Sequence, residues 1–157
     1  MASMSLRDVR ESDLPELFEI QRDQTAQHMA AFINAAANDR DAYLRKWLRI
    51  LADETITNKA ILLDGELVGS VASFVVEGDT EVTYWIRRDC WGRGIATAAL
   101  AELLNEVATR PIYGRTAYDN VGSMRVLERN GFVRVGEEQA YAEARQATIT
   151  EVIFKLA

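Results

Sequence analysis

Cysteine occurs once in this chain, as Cys90, and histidine once, as His28. A lone cysteine closes no disulfide within the chain, which fits a reducing compartment. The pair falls short of the roughly four ligands, mostly Cys or His, that a structural zinc site needs. No run approaches the ~20 apolar residues of a membrane span, and Met1 to Leu6 carries no apolar signal-peptide core. The expectation is a metal-free cytoplasmic protein. Basic residues are outnumbered, 18 Lys and Arg against 24 Asp and Glu, for a net charge of −6. Nucleic acid is bound by Lys and Arg that neutralise phosphates, so an acidic chain is poorly suited to it. The same sign argues against an anionic membrane surface. Repeats, low-complexity tracts and Pro/Gly-rich linkers are missing. Both prolines, Pro15 and Pro111, stand where an element is expected to begin.

What is present is an ordinary globular composition. The 157 residues suffice for one domain with a core, residues 1–157, and not for two. Ser5–Arg10 reads as a first strand. A helix follows with Ser12 as N-cap and Pro15 in its first turn, where a missing N–H costs little. Leu14, Leu17, Phe18 and Ile20 form its apolar side. Segment 24–40, rich in Ala and Asn, gives no readable boundaries. Tyr43, Leu44, Trp47, Leu48 and Leu51 then recur at helical spacing over 41–53. Asp64-Gly65, between the apolar runs Lys59–Leu63 and Leu67–Val76, predicts a hairpin. Gly78-Asp79 predicts the next turn, with Glu81–Ile86 returning antiparallel. A helix over 93–108 comes next, then a strand over Ile112–Tyr118. A helix opening at Asp119-Asn120 and ended by Gly131 follows, and strands Phe132–Val135 and Thr148–Leu156 finish the chain. This order predicts an α/β (α+β) domain with a mixed sheet.

Trp91-Gly92-Arg93-Gly94-Ile95-Ala96-Thr97 joins the aromatic strand Val82–Ile86 to a helix whose Ile95, Ala96, Ala99, Leu100, Leu103, Leu104 and Val107 repeat at helical spacing. A glycine loop that opens a helix presents unpaired N–H groups and partial positive charge, which together cradle an anion. A Walker loop requires a Lys-Ser/Thr pair that is absent here. A dinucleotide fingerprint requires Gly or Ala where Thr97 stands, and a first parallel strand ahead of it. Coenzyme A pyrophosphate is the third option.

Two stretches favour it. Glu81-Val-Thr-Tyr-Trp-Ile-Arg-Arg-Asp-Cys-Trp-Gly-Arg-Gly-Ile-Ala-Thr97 resembles the central motif of the GNAT family of N-acetyltransferases. Asn120-Val-Gly-Ser-Met-Arg-Val-Leu-Glu-Arg-Asn-Gly-Phe132 resembles the next motif, in the ribosomal-protein and small-molecule acetyltransferase branch. The resemblance implies a GNAT-like mixed, mostly antiparallel central sheet of about six to seven strands flanked by about four helices. The family signature Gln/Arg-x-x-Gly-x-Gly/Ala falls on Trp91 to Ala96. Gly94 and Ala96 fit, while Trp91 replaces Gln or Arg.

By this resemblance the cosubstrate is acetyl-CoA. Amides from Gly92 to Thr97, Ile95 included, hold its diphosphate, with Arg93 adding charge. Main-chain groups of Tyr84, Trp85 and Ile86, beside a bulge, bond the pantetheine arm and acetyl carbonyl. Asn120 and Ser123 make the second set of contacts, and Asn120 also reads as a helix N-cap. The implied reaction is direct attack of a primary amine, on a small molecule or a peptide, in a ternary complex. A free alkylamine has a pKa near 10.4, so a base is needed at neutral pH. Glu81 matches the glutamate that often serves. The tyrosine that many relatives use as an acid is Leu127 here, leaving Tyr118 and Tyr141 as substitutes. Gln24, His28, Phe32 and Trp47 are the expected acceptor-pocket residues. Homodimers are common among such relatives. The alternatives are a non-catalytic acyl-CoA-binding module and a protein N-terminal acetyltransferase.

Other residues read more plainly. Cys90 has no suggested histidine partner and reads as inert. Arg87-Arg88-Asp89 reads as a solvated strand end, with either arginine able to meet phosphates. Arg45, Lys46 and Arg49 form the polar side of an amphipathic helix.

Overall fold

The computed structural model describes residues 2–157. The chain runs β1 (Met4–Asp8), α1 (Leu14–Gln21), α2 (Gln24–Ala30), α3 (Arg40–Ala52), β2 (Thr57–Leu63), β3 (Glu66–Val76) and β4 (Asp79–Ile86). It continues as α4 (Ile95–Glu106), β5 (Ile112–Ala117), α5 (Val121–Arg129), β6 (Val133–Ala142) and β7 (Ala147–Leu156). Short 3-10 turns at Glu11–Asp13 and Arg88–Cys90 precede α1 and the glycine loop. No helix among the described residues is long and apolar enough to cross a membrane.

The strands form one seven-stranded sheet in the order β1-β2-β3-β4-β5-β7-β6. Every pairing is antiparallel except β4 with β5. Period-2 alternation splits the core between two faces. In β2, Ala60 packs with α1 and α3 while Ile61 packs with α4 and α5, and Leu67 and Val68 of β3 divide the same way.

Among the described residues five α-helices flank the sheet, one more than the sequence predicts. The extra one is α2, inside segment 24–40. Its N-cap is Asp23, whose carboxylate accepts from the Ala26 amide at 2.9 Å. Seven residues are too few to display a helical period. Ser12 does not cap α1, because it lies inside the 3-10 turn. Asp13 organises that corner instead. It accepts from the Arg10 amide at 2.8 Å and from Arg7 Nη1 and Nη2 at 2.7 and 2.9 Å. A carboxylate takes charge-assisted bonds that a serine hydroxyl cannot match.

The hairpin turn falls on Asp64-Gly65 as its residues predict, and both have positive φ, 52° and 83°. The following turn is Glu77-Gly78, since Asp79 already pairs with Val76. β6 continues to Ala142, well beyond the predicted end at Val135. It is an edge strand, exposed along most of its length, and so carries no apolar alternation to read.

The feature that positions the site is the junction of β4 and β5. Only Thr80↔Ile112 and Glu81↔Tyr113 are paired, and beyond them the two strands separate. The predicted bulge beside Tyr84–Ile86 is not a register shift, for β4 pairs with β3 without interruption from Asp79 to Ile86. Separation from β5 opens the strand instead. β3 and β4 also approach very closely here: a Cβ on Gly69 would stand 2.0 Å from the Trp85 carbonyl oxygen.

Candidate active site

A cavity of about 630 Å³ occupies the gap between β4 and β5. β4 contributes Tyr84, Trp85 and Ile86 to its wall, the glycine loop and α4 contribute Trp91, Gly92, Gly94, Ile95, Ala96 and Thr97, and α5 contributes Asn120 and Ser123. Glu81 and Phe32 also line it. Arg93 is exposed and stands outside the wall.

The acceptor-side expectation needs correction. Gln24, His28 and Trp47 do not line the cavity. Helix α2 turns Ala26, Met29 and Ala30 inward, at i, i+3 and i+4, which leaves Gln24 and His28 exposed. Trp47 belongs to the core between α1 and α3, with its ring 6.2 Å from that of Tyr43. After α2 the chain turns sharply at Ala31, φ 64° and ψ −57°, with the Phe32 amide bonded to the Ala30 carbonyl at 2.7 Å. An alanine in this region carries about 1–3 kcal/mol of strain. The Ala144 amide holds the turn by bonding the Ala31 carbonyl at 3.1 Å, and the next residue, Phe32, enters the cavity wall.

The loop reaches α4 through Gly94, at φ 74° and ψ 10°, a left-handed conformation that glycine adopts without penalty. No side chain caps α4. The first amide in its ladder is that of Ala98, bonded to the Gly94 carbonyl at 3.1 Å. The amides of Ile95, Ala96 and Thr97 therefore have no partner in the chain, as at any uncapped helix start. The indole N–H of Trp91 donates to the Ile86 carbonyl at 2.8 Å. That bond fastens the loop to the end of β4 and occupies one of the main-chain groups expected to meet the cofactor.

Across the gap, the Tyr84 hydroxyl meets the Ser123 hydroxyl. Burial pushes the Tyr84 phenol up to about 12. Asn120 is the N-cap of α5, accepting from the Ser123 amide at 3.2 Å, and its Nδ2 donates to the Met29 carbonyl at 3.2 Å. Both ends of this amide are thus engaged within the chain. Leu127 is buried against Gly114, and neither Tyr118 nor Tyr141 lines the cavity. Cys90 is buried in the wall. Arg87 is paired with Asp89 and Glu66, and Arg88 with Asp23, so both arginines are committed to ion pairs.

Glu81 is half-buried and 3.4 Å from Arg115 Nε. Burial pushes its carboxyl above the ordinary range, Arg115 opposes that, and Glu151 and Asp79 add to it. Glu151 is raised by burial as well, again against Arg115. Sequence reasoning missed Arg115, Glu151 and Phe74, which also line the cavity. Arg115 and Glu151 lie far apart in the chain and meet only because β5 pairs with β7. Arg125 and Arg129 of α5 were missed too, although their i, i+4 spacing marks one helix face. Among the described residues no three His, Cys, Asp or Glu side chains are grouped as a metal ion requires.

An α/β sheet parted beside an uncapped helix start fits a protein that seats an extended anionic ligand. Residues 4–133 match the acetyltransferase (GNAT) domain, and the chain belongs to that family. A Bacillus subtilis protein, provisionally named ribosomal N-acetyltransferase YdaF, is 30% identical over 111 residues, 66% of this chain. The match spans 61% of that relative's length. RimJ of Mycobacterium smegmatis, solved with CoA-disulfide, is 25% identical with a TM-score of 0.79, covering 98% of this chain and 81% of RimJ. YncA of Salmonella typhimurium, provisionally named an acetyltransferase and solved with acetyl-CoA, shares the fold. It is 17% identical with a TM-score of 0.80, covering 98% of this chain and 92% of YncA.

Proposed function

We propose that this protein moves the acetyl group of acetyl-CoA to a primary amine by direct attack within a ternary complex. The supporting observation is the set of unpartnered Ile95, Ala96 and Thr97 amides at the edge of the cavity between β4 and β5. Helix N-termini of this kind take phosphate groups. The slot between the separated strands suits a slender arm, and the main-chain groups on the β5-facing edge of β4, unpaired beyond Glu81, orient it. Membership of the family and the ligands of RimJ and YncA support the same cosubstrate. Bound acetyl-CoA supplies an activated thioester.

The chain's own groups do the rest. An amine arrives mostly protonated, so it must lose a proton before its nitrogen can bond the carbonyl carbon. Glu81 takes that proton. Its half-buried carboxyl, raised by desolvation, is a stronger base than an exposed glutamate. Main-chain donors stabilise the charge that grows on the carbonyl oxygen. With Leu127 in the family's tyrosine position, the thiolate leaves without a tyrosine acid. The name of the Bacillus relative, a ribosomal N-acetyltransferase, favours an amine on a protein or peptide as acceptor, and a small-molecule amine is the other form of the same chemistry.

Isothermal titration with acetyl-CoA, followed by thiol release over a panel of amines and peptides, tests this reading. Saturable binding with amine-dependent thiol release is expected. No binding at millimolar ligand overturns it. Binding without release on any amine leaves the acyl-CoA-binding module in its place.

A further inference from the structure

Arg115 stands on β5 two residues beyond Tyr113, the residue paired with Glu81 in the last rung of the β4–β5 ladder. Its Nε lies 3.4 Å from Glu81 and its Nη1 3.2 Å from Glu151 of β7, and Nη1 also bonds Glu138 of β6. One guanidinium thus joins carboxylates from three strands at the place where the sheet opens. The side chains of Glu81 and Glu151 are 14% and 13% exposed, whereas Glu138 is 53% exposed. Glu138 therefore anchors the guanidinium from the solvent side, and the two desolvated carboxylates face each other across it inside the cavity.

We infer that Arg115 is the positioning residue of this site, fixing the Glu81 carboxylate at the cavity wall, with Glu151 as the opposing charge that keeps Glu81 basic. The inference rests on the reading of Glu81 as base. A planar guanidinium spans several carboxylates with fixed geometry, which a single ammonium cannot do. Its positive charge favours ionised Glu81, and Glu151 disfavours it. The other titratable groups facing Glu81 are Asp79 on its own strand, Tyr113 of β5 and Lys155 of β7, which share its rung and sheet face, and, lining the same cavity, Arg125 and Arg129 of α5. The elements on the acceptor side add only apolar groups, Met29, Phe32 and Ile33, and β3 adds Phe74.

The two neighbours must therefore move the titration of Glu81 in opposite directions. The test is carbon-13 NMR titration of the Glu81 carboxyl in the full-length protein, alongside the pH profile of kcat/KM. Arg115→Gln raises the acidic limb by about one pH unit or more, and Glu151→Gln lowers it. Arg115→Lys returns the limb towards wild type while kcat stays about tenfold low, since charge is restored and geometry is not. An unmoved Glu81 titration in Arg115→Gln, or movement in the same direction in both variants, overturns the inference. Thermal melts establish that each variant is folded. Should Arg115→Gln fail to fold, the sign of the shift in Glu151→Gln decides. The NMR arm needs no substrate, so it separates this inference from the proposed activity. If Glu81→Gln keeps the acidic limb, Glu81 is not the base and the reading of Glu81 falls, whatever the carboxyl titrations give.

Discussion

The Tyr84 phenol lies 2.7 Å from the Ser123 hydroxyl and 3.1 Å from the Ser123 carbonyl oxygen, joining β4 to the first turn of α5 across the open part of the sheet. Only two residue pairs hold β4 to β5 directly. The width of the gap therefore depends on cross-braces, of which this is one. Tyr84→Phe removes the brace while leaving the ring in place. It is expected to lower stability by about 0.5–1.5 kcal/mol, the net worth of one buried hydrogen bond. Acetyl-CoA affinity should fall several-fold with it. Urea melts and titration calorimetry measure the two, and unchanged affinity would mean the brace does not set the gap.

Gly69 has a different sensitivity. A Cβ there meets the Trp85 carbonyl oxygen at 2.0 Å and the Ile86 Cα at 3.2 Å, both backbone atoms with no rotamer to yield. Gly69→Ala must push β4 away from β3. Overpacking of this kind costs about 1–3 kcal/mol or more. Trp85 and Ile86 line the cavity, so displacing this part of β4 should lower ligand affinity further than stability alone explains. Gly136→Ala is the control. Nothing lies within 4 Å of its added Cβ, and its φ is not positive. It should stay within about 0.5 kcal/mol of wild type.

These two positions also mark how far the sequence could be read. The glycine loop, its helix and the Asn120 helix were legible because their signals are local: a glycine pair, a helical period, a cap. Strand β3 was legible, but Gly69 within it was not, because its role depends on what β4 places opposite. Arg115 and Glu151 were invisible for the same reason, meeting only through the β5–β7 register. Trp47 was expected in the pocket because the early helices shape the acceptor site in the family this chain resembles, and only packing assigns it to the α1–α3 core. Local chemistry announces itself in sequence, whereas chemistry assembled by strand pairing does not.

Asp13 sets an acid limit on stability. Its bonds to Arg7 hold the carboxyl below the ordinary carboxylate range, with the Arg10 amide contributing. A carboxylate made more acidic by folding contributes its stability above the unfolded value of about 3.9. That contribution is lost as pH falls through the lower folded value. Asp13→Asn should therefore cost about 1.5–3 kcal/mol at neutral pH, as expected for a hydrogen bond to a charged partner. The gap between variant and wild type should close progressively below about pH 4. Urea melts at several pH values measure it, and a gap that stays constant to low pH would remove the ion pair from the account.

Gly94 allows conformation and ligand contact to be told apart. Its φ of 74° and ψ of 10° lie in the left-handed region, and nothing lies within 4 Å of a Cβ placed there. A substitution at this position thus meets a backbone penalty and no clash. Gly94→Ala should cost about 1–2 kcal/mol in that conformation. Asparagine tolerates the region better than alanine, and valine worse. Acetyl-CoA affinity should therefore rank Gly, Asn, Ala, Val, because the loop must hold this turn for the Ile95, Ala96 and Thr97 amides to face one ligand together. Calorimetric titration of the four proteins gives the order. Equal losses in the asparagine and alanine variants would mean that the left-handed turn is not what aims those amides.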